Sequence, residues 1–159
     1  MRAFISGLLL CAALIASPVW AEGPLSSEIQ SYLIERGQNG EEQRVPTTQA
    51  APGDVIEYQL VYRNTSTQPL SGLVVTGPIP ANTQYVEASA QTAVDAGFVV
   101  SADDGSHFGA EPLIDTTRRS AGEEQAVIPA EAYTHVRWTP NTAIQPGQVQ
   151  TYSYRVRVL

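Results

Sequence analysis

Residues Asp103, Asp104, Ser106 and His107 put two carboxylates, a hydroxyl and an imidazole within one short stretch, the side-chain types of a hydrolytic triad. Adjacent residues of a strand point to opposite faces, so Ser106 and His107 on one strand would not share a site. No nucleophile-elbow pattern surrounds the serine either. Asp and Gly tolerate positive φ, and Asp103-Asp104-Gly105 reads instead as the turn of a solvated hairpin with arms over 98–102 and 106–110. The turn lacks the twelve-residue acidic spacing of a calcium loop. His107 and His135 fall on separate expected strands without His-x-x-x-His or Glu-x-x-His spacing, and both read as surface histidines. No catalytic, cofactor-binding or metal-ligating residue is assigned, and the expectation is a protein that is not an enzyme and carries no cofactor.

Residues 1–21 read as a secretory signal: Arg2 gives a positive start, 3–15 an apolar run, and Val19-Trp20-Ala21 a small-x-small cleavage site. The mature chain is expected to begin at Glu22 in the periplasm or at the cell surface. The apolar run is shorter than the ~20 residues a membrane-spanning helix needs, and no later segment is apolar enough. The single cysteine, Cys11, lies inside that run without the small residue before it that lipidation requires. Its removal excludes disulfides, thiolate nucleophiles and cysteine metal ligands together.

All nine basic residues are arginine, so an intramolecular Lys–Asn cross-link is excluded. Losing Arg2 leaves eight arginines against sixteen carboxylates, a net charge of −8. Such a charge favours solubility and opposes binding to nucleic acid or anionic lipid.

The elements that must position any site read as strands. Over 55–64, Ile56, Tyr58, Leu60 and Tyr62 fall on one face and Glu57, Gln59 and Arg63 on the other, behind a Pro52-Gly53-Asp54 turn. A first strand over 28–36 breaks at Gly37-Gln38-Asn39-Gly40 and returns over 42–45. Further strands are expected over 70–76, 83–88, 133–139 and 149–159. Gly77-Pro78-Ile79-Pro80 is expected at an edge or crossover, because proline removes ladder donors. Residues 111–130 are charged and aperiodic, a long loop where function could reside. Eight or nine short strands without a convincing helix argue for a two-sheet antiparallel sandwich.

Pro52-Gly53-Asp54, the strand to Asn64, Leu73-Val74-Val75-Thr76, Ile79-Pro80 and Thr83-Gln84-Tyr85-Val86 resemble the bacterial conserved repeat domain known as domain of unknown function eleven. Asp104-Gly105, Arg137-Trp138, Pro146-Gly147 and the terminal Tyr-Arg-Val-Arg-Val strand extend the resemblance over 51–159, with 22–50 as an N-terminal hairpin and linker packed on it. The resemblance implies an immunoglobulin-like β-sandwich of exported and surface proteins, without an established activity. Gly77-Pro78 stands where the family pattern has an acidic residue, and the domain is present once, so neither an acidic contact nor a stalk of repeats follows.

Two surfaces remain. Tyr62, Tyr152, Tyr154 and Trp138 would make a sugar platform if exposed, but each falls on its strand's core-facing register. Arg137, Arg155 and Arg157 fall on the outward register of the last two strands and would form a cationic stripe if those strands paired, unless Glu57 or other carboxylates neutralise it. The expected role is a structural or protein-interaction domain of the cell envelope, binding another envelope protein or itself through a sheet edge or this arginine face. The alternative is a carbohydrate- or ligand-binding periplasmic module.

Overall fold

The period-two pattern is realised as nine strands: β1 (Leu25–Arg36), β2 (Glu42–Pro46), β3 (Val55–Asn64), β4 (Val75–Pro78), β5 (Thr83–Tyr85), β6 (Gln91–Thr92), β7 (Ala96–Ser101), β8 (His135–Pro140) and β9 (Val149–Val158). The computed structural model describes residues 23–115 and 126–159. The expected leader, with Cys11, and the Arg118-Arg119 and Glu123-Glu124 pairs of the 111–130 loop lie outside the described residues.

All pairings between these strands are antiparallel. The larger sheet runs β2-β1-β3-β9-β5, with β6 further along the same edge of β9 as β5; the smaller sheet runs β4-β8-β7. Together they form the expected all-β antiparallel sandwich of two sheets. Inward residues of β3 and β9, among them Ile56, Leu60, Tyr152, Tyr154 and Val156, are buried, whereas Arg63, Thr151 and Arg157 on the alternate register are exposed.

Two Pro-Gly turns fix the ends of the central pair. At 51–54, Pro52 and Gly53 (φ 94°) occupy the middle of a turn closed by Asp54 N–H to Ala51 O, and the Asp54 carboxylate accepts the Ala51 N–H at 2.7 Å. Gly53 N–H then donates to Val158 O, locking the start of β3 onto the end of β9. Pro146 and Gly147 repeat the turn before β9, closed by Gln148 N–H to Gln145 O. Beside it, the fully buried Asn64 donates through Nδ2 to Gln68 O and Ile144 O and accepts from Ser66, so one side chain ties two loops to the end of β3.

Two expectations need correction. Leu70 makes only a single bridge to Ile144, and the strand expected over 70–76 begins at Val75. That strand runs on through Gly77 and Pro78 at the edge of the smaller sheet, the edge alternative of the two expected there, with Pro78 part of the ladder. Ile79 N–H bonds to Thr134 O, so ladder alternation turns the nitrogen of Pro78 away from β8 toward the open edge, where no donor is needed. Residues 106–110 form no strand; they fold back so that Gly109 alone pairs with Val100.

The sheets meet around Trp138 of β8, which packs against Phe98, Tyr152 and Tyr154 with ring centroids 5.2, 5.7 and 6.2 Å away. Tyr154 donates its hydroxyl to Pro78 O on β4, and its ring lies over Gly77. A Cβ at Gly77 would meet Tyr154 Cε1 at 2.6 Å, so only glycine admits that ring. We therefore expect Gly77→Ala to lower the unfolding free energy by about 1–3 kcal/mol in urea titrations, from overpacking. Gly97→Ala, where the nearest contact is 4.0 Å, is the control and should stay close to the parent.

Candidate functional site

The three arginines expected to form one stripe are divided between the sheets. Arg137 lies on β8, whose neighbours are β4 and β7, and so faces out of the smaller sheet, while Arg155 and Arg157 face out of the larger one. β8 and β9 do not pair, and the condition for a joint stripe is not met. Arg137 donates from Nε to Thr76 Oγ1 at 3.1 Å and lays its guanidinium 3.5 Å above the Phe108 ring, a cation–π contact. Arg157 is exposed and reaches Gly53 O at 3.4 Å.

Arg155 is engaged by carboxylates. Its Nε meets Glu57 Oε2 at 3.0 Å, directly across the β3–β9 ladder, and its Nη1 meets Glu42 Oε2 at 2.8 Å. Glu57 is only 2% exposed although it belongs to the outward register. Arg44 Nε at 3.1 Å and Gln59 Nε2 at 3.3 Å share its other oxygen. Burial alone would push the Arg155 guanidinium down, but the hydrogen bonds and charges of Glu42 and Glu57 outweigh it and hold it above its ordinary value. β1 leaves β3 after Leu33 and continues with β2, and Glu42 at the start of β2 still touches Arg155 on β9. The β1–β2 hairpin therefore curls over the outer face, and Glu57 is the charge beneath it.

The Asp103–His107 pair is a turn device. His107 Nδ1 lies 2.6 Å from Asp103 Oδ2, and the His107 N–H donates to Asp103 Oδ1 at 2.9 Å. Ser101 Oγ donates to the same carboxylate and accepts the Gly105 N–H. Ser106 donates its backbone N–H to Asp103 O. These residues lie in a turn and not on a strand, so the opposite-face expectation for Ser106 and His107 does not describe them. Among the described residues, no three His, Cys, Asp or Glu side chains gather to hold a metal ion.

The aromatic platform lies inside: Trp138, Tyr152 and Tyr154 are buried and Tyr62 is half-buried beside them, and burial raises the hydroxyls of Tyr62, Tyr152 and Tyr154, Tyr152 to about 12. A cleft of about 530 Å³ lies between the 102–109 segment and residues 113–115 and 128, lined by Phe108, Leu113, Ile114 and Ile128 with Asp103 and His107.

The feature that sequence periodicity missed is an edge. β1 pairs with β3 over Leu25 to Leu33 but with β2 only over Tyr32 to Arg36. Thr65 N–H bonds to Pro24 O, and Thr47 N–H to Ser31 O. Antiparallel alternation then points the peptide groups of Leu25, Ser27 and Ile29 away from β3, toward open solvent among the described residues. Ile29 is 63% exposed. Ile29 to Tyr32 and Pro46 to Thr48 border a groove of about 520 Å³ where β2 leaves β1.

Other edges carry protection. The outward peptides of β2 belong to Glu42, Arg44 and Pro46; β4 is short and carries Pro78; β5 and β6 are separated by Ala88 at φ 54°; and β7 is closed at Val100 by Gly109. Residues 25–30 have no proline or bulge and one charge, Glu28.

Compared with family models, curated proteins and solved structures, the chain matches none of them.

Two expectations follow. Glu57→Ala should destabilise by about 1–3 kcal/mol, because Arg155 keeps only Glu42 and the half-exposed Arg44 loses its carboxylate, whereas Glu42→Ala should cost no more than about 1 kcal/mol; paired denaturant titrations check the ratio. Hydrogen bonds from the His107 N–H, then the His107 ring and the Ser101 hydroxyl, hold Asp103 well below the usual carboxylate range. The native turn thus favours the ionised form. Its contribution is complete above the ordinary aspartate value of about 3.9 and is lost as pH falls through the depressed one. A carbon-13 titration of the Asp103 carboxyl should give a midpoint below that of a free aspartate.

Proposed function

We propose that this chain is a non-catalytic exported domain of the cell envelope that acts by binding another polypeptide along the outer edge of β1. The observation that carries the reading is the run of unpaired, unprotected peptide groups at Leu25, Ser27 and Ile29, beside other edges that each bear a protective device. A strand added there gains main-chain hydrogen bonds, and alternate side chains meet Ile29 and the groove beside Pro46. The leader-like residues 1–21 and the resemblance to an exported repeat domain support an envelope location.

The arginine face supports the reading less well, since Arg155 is held by two carboxylates and Arg137 stacks on Phe108. A ligand-binding role has the cleft beside Phe108 in its favour. Its lining is chiefly apolar, and one face of its phenyl ring, Phe108, is covered by Arg137, which suits an apolar ligand better than a sugar.

A photo-reactive amino acid at Ser27, illuminated in living cells, should give one discrete polypeptide adduct from protein whose first residue is Glu22. The adduct should vanish when Ile29→Lys places a charge on the edge. Absence of any adduct while the protein is folded and abundant overturns the reading.

A further inference from the structure

The β1 edge is self-complementary. Two copies of residues 25–29 laid antiparallel about a twofold axis at Ser27 set Leu25 opposite Ile29 of the second copy, Ser27 opposite Ser27, and Ile29 opposite Leu25. Leu25, Ser27 and Ile29 are the residues whose peptide groups point outward, so every one of these pairs is of the hydrogen-bonded kind, for about six new ladder bonds.

We infer that the partner of this edge is a second copy of the chain, joined through antiparallel β1–β1 pairing centred on Ser27. The inference rests on the binding role proposed for the edge. Side chains agree with this register on both faces. On the core-facing side, Ile29 projects beyond the smaller sheet, and the register places Leu25 of the second copy beside it, giving an apolar cross-strand pair at each end.

On the outer side, charge selects the register. Glu28 is the only ionisable residue among 25–30. Pairing about Glu28 would set two carboxylates face to face, whereas pairing about Ser27 sets each Glu28 opposite the hydroxyl-bearing Ser26. Pro24 of the second copy comes opposite Gln30, a non-hydrogen-bonded position where its missing N–H costs nothing, and Gly23 arrives at the groove bordered by Ser31, Pro46 and Thr47. Beyond that point Thr47 already holds Ser31, donating its N–H to Ser31 O at 3.1 Å and accepting the Ser31 side-chain hydroxyl through its own carbonyl at 2.6 Å. The ladder therefore has a built stop at each end. Joining two copies makes one continuous sheet from the two larger sheets, with both smaller sheets on the same side.

Sedimentation velocity of the purified full chain over a range of concentrations, together with single-cysteine variants in a Cys11→Ser background, tests this. The register brings the two Ser27 Cα atoms to about 5.5 Å, within disulfide reach. Under mild oxidation Ser27→Cys should give a disulfide-linked dimer and Ser31→Cys should not. Ile29→Lys should return the parent to monomer with its circular dichroism retained and with the unfolding midpoint that the parent shows at dilutions where it is monomeric. Added salt should tighten the dimer, since two strongly acidic chains repel at low ionic strength.

A dimer that Ser27→Cys fails to bridge, or one untouched by Ile29→Lys, overturns the inference, as does a ladder of larger aggregates. A monomer at all concentrations whose photo-adduct at Ser27 is a different protein overturns the second copy while keeping the binding edge. A monomer without any adduct overturns both.

Discussion

Trp138 is the contact on which the two sheets depend. Among the described residues there is no cysteine, so nothing covalent joins the sheets, and the core must do so alone. Trp138 reaches across from β8 to Tyr152 and Tyr154 of β9 and is backed by Phe98 of β7. Each tilted ring pair adds about 0.5–1.5 kcal/mol beyond the apolar area it buries. Tyr154 then extends the same cluster to the edge strand β4, through its hydroxyl on Pro78 O and its ring over Gly77. The small residue at 77 follows from the large one at 154.

The outer face of the larger sheet obeys a different logic. A carboxylate as desolvated as Glu57 gains little net stability from its arginines compared with an apolar residue in the same place. What the arrangement does is select one geometry: Arg44 from β2 and Arg155 from β9 converge on Glu57 only when the hairpin curls over β3. That geometry has a cost at the other end of β1. β2 follows the curl, ends at Pro46 opposite Tyr32, and the chain departs toward the Pro52-Gly53-Asp54 turn at β9. Among the described residues the first half of β1 is left without a second neighbour. Clamp and open edge are consequences of one hairpin.

Much of the fold was legible because alternation reports faces directly. Ile56, Leu60, Val136, Trp138, Tyr152 and Tyr154 are all buried as their registers required, and the Gly37 to Gly40 and Pro52-Gly53-Asp54 turns stand where their residue types placed them. Where alternation was absent the reading failed. The strand expected over 70–76 lies at Val75 to Pro78, its end concealed by proline, and 106–110 has strand-like composition but is held by one bridge. The arginine face failed for another reason. Arg137, Arg155 and Arg157 do share the outward register, but register says nothing of which strands are neighbours, and β8 and β9 belong to different sheets. Asn64 was readable only as a strand end; its hold on two loops requires Gln68 and Ile144 to be near, which is tertiary information.

The edge escaped for the same reason in a stronger form. In an antiparallel ladder the peptide groups alternate left and right with the period at which side chains alternate up and down, so a sequence pattern displays the second and conceals the first. Leu25, Ser27 and Ile29 carry no chemistry in their side chains that a motif would register. Their outward N–H and C=O groups are left open, among the described residues, because β2 stops at Pro46 and Thr47 is held at Ser31. From sequence a sheet edge is legible beside the arginine face but not which edge, because side-chain reasoning counts charges and the open part of β1 has only Glu28. That sparseness of charge is the informative property. In an acidic chain whose other edges are shortened, charged, broken or capped by proline, a strand left open and nearly neutral is a strand left able to pair.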